Sequence, residues 1–393
     1  VRRTRSSEYY LSETFVSFVA RLDFFVERNN LHYENTENTK EETCMKTIFK
    51  IVVLLIVAAS IDAWAQGTKP TALADLAKYR GADRERILYE GAKKEGSFVW
   101  YTSLVPHKEI GKVFMTRYPG VSIDIYRADG VILSNRIMAE HQARRHIMDA
   151  IETTPPPLMP LRDNKMLMPY YSPHLAAYPE IAKEKADGDL VWWSTDRESL
   201  IGVGYNKNTF PAADLPKRFD DLLKPVLKGK MGTANNETGA RAIGGILKAK
   251  GEEFVRRLKD QEPRPFASTA AGLADMVITG EVPISFTMVQ TNLTQPAATR
   301  GAPVGWLPME VVPVNAGGAA VSVNAPHPHA ALLFIDFLLS PEGQKMYADK
   351  LFYTSATRKV GYEKWYPDKG MTTAEYEERS EKWLKLLREI SRK

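Results

Sequence analysis

The sequence predicts an α/β protein built as two lobes, joined by two extended crossover segments. Three observations predict it. Between residues 95 and 154, apolar runs and helical patterns alternate as β-α-β-α-β. A second strand-loop-helix unit begins at Lys230 and runs to Lys250. Two extended segments, 200–205 and 302–312, flank that second block, so one lobe is inserted into the other. A chain of 393 residues also exceeds what one hydrophobic core usually serves.

Composition narrows the class. The chain is 44% hydrophobic and 26% charged, with a formal charge of +5 and no long run of one sign. A nucleic-acid groove would cluster Lys and Arg, so no nucleic-acid partner is expected. Cys44 is the single cysteine, which excludes an internal disulfide, a cysteine metal cluster and a downstream cysteine nucleophile. Met45 to Lys50 form a short basic region, 51–59 an uninterrupted apolar one, and Ala63-Trp64-Ala65 an A-x-A cleavage site. Residues 45–65 therefore read as a secretory signal peptide cleaved after Ala65, too short in its apolar part to span a membrane. Residues 1–44 carry no signal and read as an upstream, non-native or disordered segment.

The remaining chain is expected to divide as lobe 1 (66–200, returning over 311–358), lobe 2 (201–310) and a C-terminal helical tail (359–393) packed on lobe 2. Residues 68–96 read as one lead-in helix, with Leu73, Leu76, Ala77, Ile87, Leu88 and Ala92 at helical spacings. The strand 97–103 ends in Thr102-Ser103. A helix over 107–118 presents Ile110, Val113, Phe114 and Tyr118 as one stripe. Val121, Ile123 and Ile125 alternate as a strand, and 127–130 turn into a helix over 131–144. A third strand over 147–151 leads to Glu152-Thr153-Thr154, after which Pro155-Pro156-Pro157 argues against regular structure.

Residues 191–194 and 200–205 read as separate strands. Gly202, Gly204, Tyr205 and Glu310 are placed where the chain passes between lobes, and a few torsions there would absorb motion. Asn235 to Ala240 open a helix over 241–250, followed by helices over 251–260 and 270–279 and a strand over 282–286. Residues 329–339 are nearly all apolar and should be buried; Ser340 caps a helix restarted at Pro341.

In parallel sheets, ligands sit beyond the carboxyl ends of the strands, against helix N-termini. That edge gathers Tyr101, Thr102, Ser103, Asp129, Gly130, Thr153 and Thr154 from the first lobe. The second lobe would add Asn235, Asn236, Thr238, Met288 and Gln290. No G-x-S-x-G elbow, H-E-x-x-H pair or phosphate-binding G-x-x-x-x-G-K-[ST] loop occurs. His327 and His329 flank Pro328 at a helix start and suit capping; His141 and His146 suit the surface. No cofactor is expected, and no catalytic set can be named.

Several runs then resemble a known family: Glu95-Gly96-Ser97 through Ser103, Tyr118-Pro119-Gly120-Val121, Tyr126-Arg127-Ala128, Gly204-Tyr205-Asn206, Gly301-Ala302-Pro303-Val304, and above all Ala325-Pro326-His327-Pro328-His329-Ala330-Ala331 continuing through Ser340-Pro341-Glu342-Gly343-Gln344. They resemble the periplasmic solute-binding proteins of ABC importers, in the group that includes binders of ferric iron, thiamine, polyamines and phosphonates. The resemblance implies the type II periplasmic binding fold, with a ligand held in the cleft, hinge closure, and delivery to a membrane permease with its ATPase. A monomer touching the membrane only through that permease is expected.

Iron-binding members hold the metal with two adjacent tyrosines, plus in some a histidine and a carboxylate. By resemblance His107 and Glu152 stand near the latter two positions, which makes ferric iron an alternative ligand. The tyrosine pair is replaced by Met288-Val289, and neither side chain supplies the hard oxygen donors that ferric iron prefers. An organic solute held by hydroxyls, amides and an aromatic wall such as Tyr101 is the reading adopted. A secreted enzyme on the same scaffold is the other alternative.

Overall fold

The computed structural model describes residues 72–391; the expected signal peptide and the segment before it lie outside them. The chain enters through two helices, α1 (Leu73–Lys78) and α2 (Arg84–Glu95), rather than the single lead-in helix expected. The break has a cause. Buried Arg84 donates from Nη1 to the carbonyls of Leu76 and Tyr79 at 2.7 and 2.8 Å, closing α1 with a side chain where a continuous helix would have used its own N–H groups.

The first lobe then follows the expected alternation: β1 (Ser97–Thr102), α3 (His107–Arg117), β2 (Ser122–Arg127), α4 (Gly130–Gln142), β3 (Ala150–Thr153). β1 pairs in parallel with β2 on one side and β3 on the other. β3 starts later than the apolar pattern suggests and includes Glu152 and Thr153. These polar residues stay in the ladder because β11 (Val311–Ser322) pairs with them, Ala319 opposite Glu152 and Gly318 opposite Thr153.

The three prolines do not prevent regular structure, contrary to expectation. They begin α5 (Pro155–Asp163), with Thr154 in the cap position. The first helical turn has no use for backbone N–H groups, so prolines fit there without loss of a hydrogen bond.

β4 (Leu167–Met168) and β5 (Lys183–Lys185) are short additions to β11 and to β6 (Val191–Asn206). β6 is one continuous strand of 16 residues, where two were expected. Thr195 to Ser199 fall between the two expected strands, yet all five are buried. Arg197 and Glu198 are paired with Glu152 and Lys364 from distant parts of the chain, a signal that periodicity does not carry.

β6 pairs with β11 through Ser194 to Leu200, then from Ile201 with β9 (Ile284–Val289). It thus belongs to the sheets of both lobes. The second lobe adds β7 (Met231–Ala234), α6 (Glu237–Arg257), β8 (Arg264–Phe266), α7 (Ala270–Thr279), α8 (Thr291–Arg300) and β10 (Val304–Leu307). Gly251, at φ 80°, interrupts α6 where a separate helix was expected to start. The strand order runs β2-β1-β3-β11-β6-β9-β7-β8. The second crossover is β11 itself; β10, within the 302–312 segment, stays in the second lobe against β6.

Gly202 and Gly204 lie just past the crossing, and neither has positive φ. A Cβ at Gly202 would sit 2.5 Å from the Leu307 carbonyl oxygen, and one at Gly204 2.4 Å from Met288 Cγ. Close strand packing explains both glycines. Tyr205 packs on Gly305 in the same ladder, and Glu310 accepts a hydrogen bond from Phe219 N at 2.8 Å.

The chain closes with α9 (Pro328–Leu339), α10 (Pro341–Leu351), β12 (Glu363–Trp365) and α11 (Thr373–Ile390). Phe334 and Phe337 of α9 pack edgewise against Phe114, and Phe334 also edgewise against Trp100 and tilted against Phe98, which anchors the first-lobe core. Glu95 caps α9 through the N–H groups of His329 and Ala330, and Ser340 caps α10 by accepting from Gly343 N at 3.1 Å. Trp383, Leu386, Leu387 and Ile390 of α11 join the second-lobe core.

Candidate functional site

Beyond the carboxyl ends of β1 and β3 lies a cavity of about 770 Å³. First-lobe residues form most of its wall. Ser103 follows β1, Thr153 ends β3, Thr154 caps α5, and Asp129 and Gly130 start α4; these five expected residues are brought together there. Gly130 is required by close approach, because a Cβ would lie 2.6 Å from both Thr153 Oγ1 and Pro157 Cγ. Ser134 and Met138 of α4 and Pro157, Met159 and Pro160 of α5 complete this side.

The opposite wall was not anticipated. It consists of Glu237 at the start of α6 together with Thr373, Tyr376, Glu377, Ser380 and Glu381 of α11. Tyr376 is the junction: its ring packs among first-lobe residues such as Met159 and Leu161, while its hydroxyl donates to Glu237 Oε1 at 2.7 Å. Arg241 Nε in turn donates to the Tyr376 hydroxyl at 3.1 Å. The Arg241 guanidinium holds the Glu237 carboxyl below its usual range. The amphipathic pattern of the tail was readable, but the part of its flank that faces the cavity depends on where it docks.

Other expected residues lie elsewhere. Tyr101 is 1% exposed, and its hydroxyl donates to Glu140 Oε1 at 2.7 Å beneath α4. Burial and that carboxylate raise its pKa well above the ordinary phenol value, and the ring is no cleft wall. Successive strand residues face opposite sides of a sheet, which puts the side chain of Tyr101 under α4 rather than at the edge. Thr102 is fully buried, donating to Glu152 Oε2 at 2.8 Å. Met288 is 1% exposed in a second-lobe core cluster with Leu273 and Leu293, so it is withdrawn as a ligand contact.

Asn236 caps α6, accepting from Thr238 N at 2.9 Å and donating to the Ser268 carbonyl at 2.8 Å. Asn235 pairs its N–H with Phe266 O. Gln290 accepts from the Thr354 hydroxyl at 3.1 Å, and its N–H donates to Leu200 O. None of Asn235, Asn236, Thr238 and Gln290 lines the cavity.

The residues set aside for iron are committed to the fold. His107 Nδ1 sits 3.0 Å from the Leu104 carbonyl oxygen at the head of α3. Glu152 is fully buried, bonded to Thr102 and paired with Arg197 at 3.1 Å. A carboxylate held by a guanidinium inside the lobe is not available to a cleft metal, so this pair is corrected to structural residues. Among the described residues, no group of three or more His, Cys, Asp or Glu side chains is placed to hold a metal ion.

Comparison with known proteins agrees with this architecture. The model of the bacterial extracellular solute-binding protein family matches residues 109–373, and the chain belongs to that family. An uncharacterised protein of Haemophilus influenzae is 26% identical over 191 residues, 46% of this chain and 55% of its own length, so the chain spans about half of that relative.

Two solved structures share the fold. Iron-bound HitA from Pseudomonas aeruginosa is 21% identical, with 75% of this chain and 99% of that one covered and a TM-score of 0.57. The periplasmic binding protein AfuA from Actinobacillus pleuropneumoniae, with exogenous fructose-6-phosphate bound, is 20% identical, covers 75% and 99%, and has a TM-score of 0.58. The fold is that of type II periplasmic binding proteins, with two lobes and two crossover strands. An iron ion and a sugar phosphate on one scaffold show that the fold leaves the ligand open. Family membership implies a periplasmic location.

Proposed function

We propose that the protein is the solute-capturing component of an ABC-type importer, which closes its lobes on a small ligand and presents it to a membrane permease driven by an ATPase. The observation that carries this reading is the cavity at the strand ends, walled by lobe 1, by α6 of lobe 2 and by α11. Its volume falls in the range usual for small-molecule sites. Ligand contacts on both walls would favour the closed arrangement, a population shift that a permease can read. Motion would turn about β6 and β11, the strands common to both lobes. The protein would act without chemistry, as a monomer exported through the signal at residues 45–65.

Small-angle scattering and thermal unfolding of the exported protein test it together. A ligand recovered from the purified protein by mass spectrometry is expected to raise the melting temperature and reduce the radius of gyration. A ligand that stabilises without compaction would overturn the closure mechanism.

A further inference from the structure

We propose that the C-terminal segment 366–376 is a latch across the two lobes, a third connection beside β6 and β11 that must release before the cleft can open. The inference goes beyond the receptor reading, since it concerns what resists opening whatever the cargo. After α10 the chain runs along the start of β11 as β12, and Tyr366 then joins the first-lobe core while its hydroxyl donates to Glu198 of β6. The chain ends in the second-lobe core, with Trp383, Leu386, Leu387 and Ile390. The stretch between these two places is held from both sides.

Lobe 1 holds its beginning. Arg162 of α5 donates from Nη2 to the Met371 carbonyl and from Nη1 to Glu184 of β5, each at 2.8 Å. Lys369 donates to the Lys183 carbonyl and, at 3.1 Å, to Glu184 Oε2. Glu184 therefore joins a cation of lobe 1 to a cation of the segment. Thr373 Oγ1 donates to Asp163 Oδ2 at 3.3 Å. Met371 and the Tyr376 ring pack into the cluster that holds Leu158, Met159 and Leu161. The Arg162 and Glu184 side chains are 13% and 10% exposed, so solvent screens these charges less than it screens a surface pair.

Lobe 2 takes hold within the next helical turn. Thr372 and Glu375 close a capping box, which fixes α11 from its first residue. The Tyr376 hydroxyl meets Glu237 and Arg241 of α6, and Arg241 also donates to Asn315 of β11. Farther along, Arg256 pairs with Glu389 at 2.8 Å and Lys382 with Glu252 at 3.6 Å. The last contact with lobe 1 and the first with lobe 2 thus fall on one residue, Tyr376, and no slack lies between them. Hinge motion needs a few residues free to change their torsions. Rotation about β6 and β11 would have to draw the Tyr376 ring out of lobe 1 or break its hydroxyl bonds to lobe 2. Tyr376 also borders the cavity, so a ligand there would touch the latch itself.

The test is double electron–electron resonance on the chain from Gln66 to Lys393, which has no cysteine of its own. Spin labels go at Lys108→Cys of α3 and Ala271→Cys of α7, both exposed. A longer interlobe distance, a minor component of roughly 10% or less in the parent, should rise several-fold in the Arg162→Gln, Lys369→Gln double variant. Tyr376→Phe keeps the ring, loses the hydroxyl bonds and should shift the distribution in the same direction by less; it decides the matter if the double variant does not fold. Lys382→Gln cuts a tie between α11 and its own lobe and should change nothing. Distances unchanged in every latch variant that folds would overturn the proposal. An equal shift in Lys382→Gln would overturn it too, by assigning the change to general loosening. The measurement uses the protein without ligand, so either failure leaves the receptor reading standing, whereas a ligand that never compacts the protein would sink that reading and not the latch.

Discussion

Glu152 and Thr153 are adjacent on β3, yet their side chains enter two regions of opposite character. Glu152 turns inward to a buried network in which Thr102 and Arg197 both donate to it. Asp196, Glu198, Tyr347, Lys364 and Tyr366 extend that network along β6: Tyr347 donates to one oxygen of Asp196, whose Oδ1 is the one carboxylate oxygen here left without a partner, while Lys364 at 2.6 Å and Tyr366 donate to Glu198. Thr153 belongs to the lining of the cavity and its buried hydroxyl has no partner, while Glu377 and Glu381 on the facing wall form no ion pair among the described residues. A strand presents alternate residues to opposite faces, so one step along β3 separates charges the fold completes from groups it leaves incomplete. Completed groups hold the crossover strand in place; incomplete ones mark where a ligand would supply the missing contacts.

The largest effect should come from breaking the completed side. Arg197 is buried between Glu152 and the Tyr353 ring, 5.2 Å from the ring centroid. Arg197→Met leaves a buried carboxylate without its cation, and removing one partner of such a pair costs about 3–5 kcal/mol. Urea unfolding should show the loss as a lower midpoint with little change in slope. An unchanged midpoint would mean that Arg197 does not hold the network together.

A smaller effect on the same side depends on pH. Burial, with the negative charge of Glu152 beside it, pushes the Asp196 carboxyl from its ordinary value of 3.8 up to about 7, against the opposing pull of Arg197 and the Tyr347 hydrogen bond. The folded protein then keeps a proton that the unfolded chain has already released. Stability should therefore fall as pH rises through the window from about 4 to about 7. Asp196→Asn cannot ionise and should flatten that decline, with melting temperatures at about pH 5 and about pH 8 drawing together. Identical slopes in the two proteins would assign the pH dependence to other carboxyls.

How far these two regions were legible in sequence follows from the same contrast. Ser103, Asp129, Gly130, Thr153 and Thr154 could be placed at the cavity because strand and helix periodicities fix where each element ends. Tyr101 and Thr102 were misplaced because an apolar run shows that a strand exists without showing which face its last residues take. Thr195 to Ser199 fell outside both expected strands because five polar residues in a row give no periodicity, and distant partners, such as Glu152 for Arg197 and Lys364 for Glu198, keep them in a buried strand. The wall formed by α11 escaped for a related reason. Trp383, Leu386 and Leu387 showed a buried stripe, but nothing local showed that Glu377 and Glu381 would face the ends of β1 and β3.

The smallest effect on stability should belong to the incomplete side, and there the comparison is sharpest. Ser134 lies within α4 with an unpartnered hydroxyl, so Ser134→Ala removes no hydrogen bond from the fold and substitutes a better helix former. Its unfolding free energy should stay within about 0.5 kcal/mol of the parent. Affinity for the bound solute should fall several-fold, because a donor on the ligand loses its acceptor. A destabilisation above about 1 kcal/mol would show that the hydroxyl is bonded within the fold, as Thr102 is, and would move Ser134 to the completed side. Unchanged stability with weakened binding would separate the two regions by measurement, since Arg197→Met is expected to show the reverse pattern in whatever fraction remains folded.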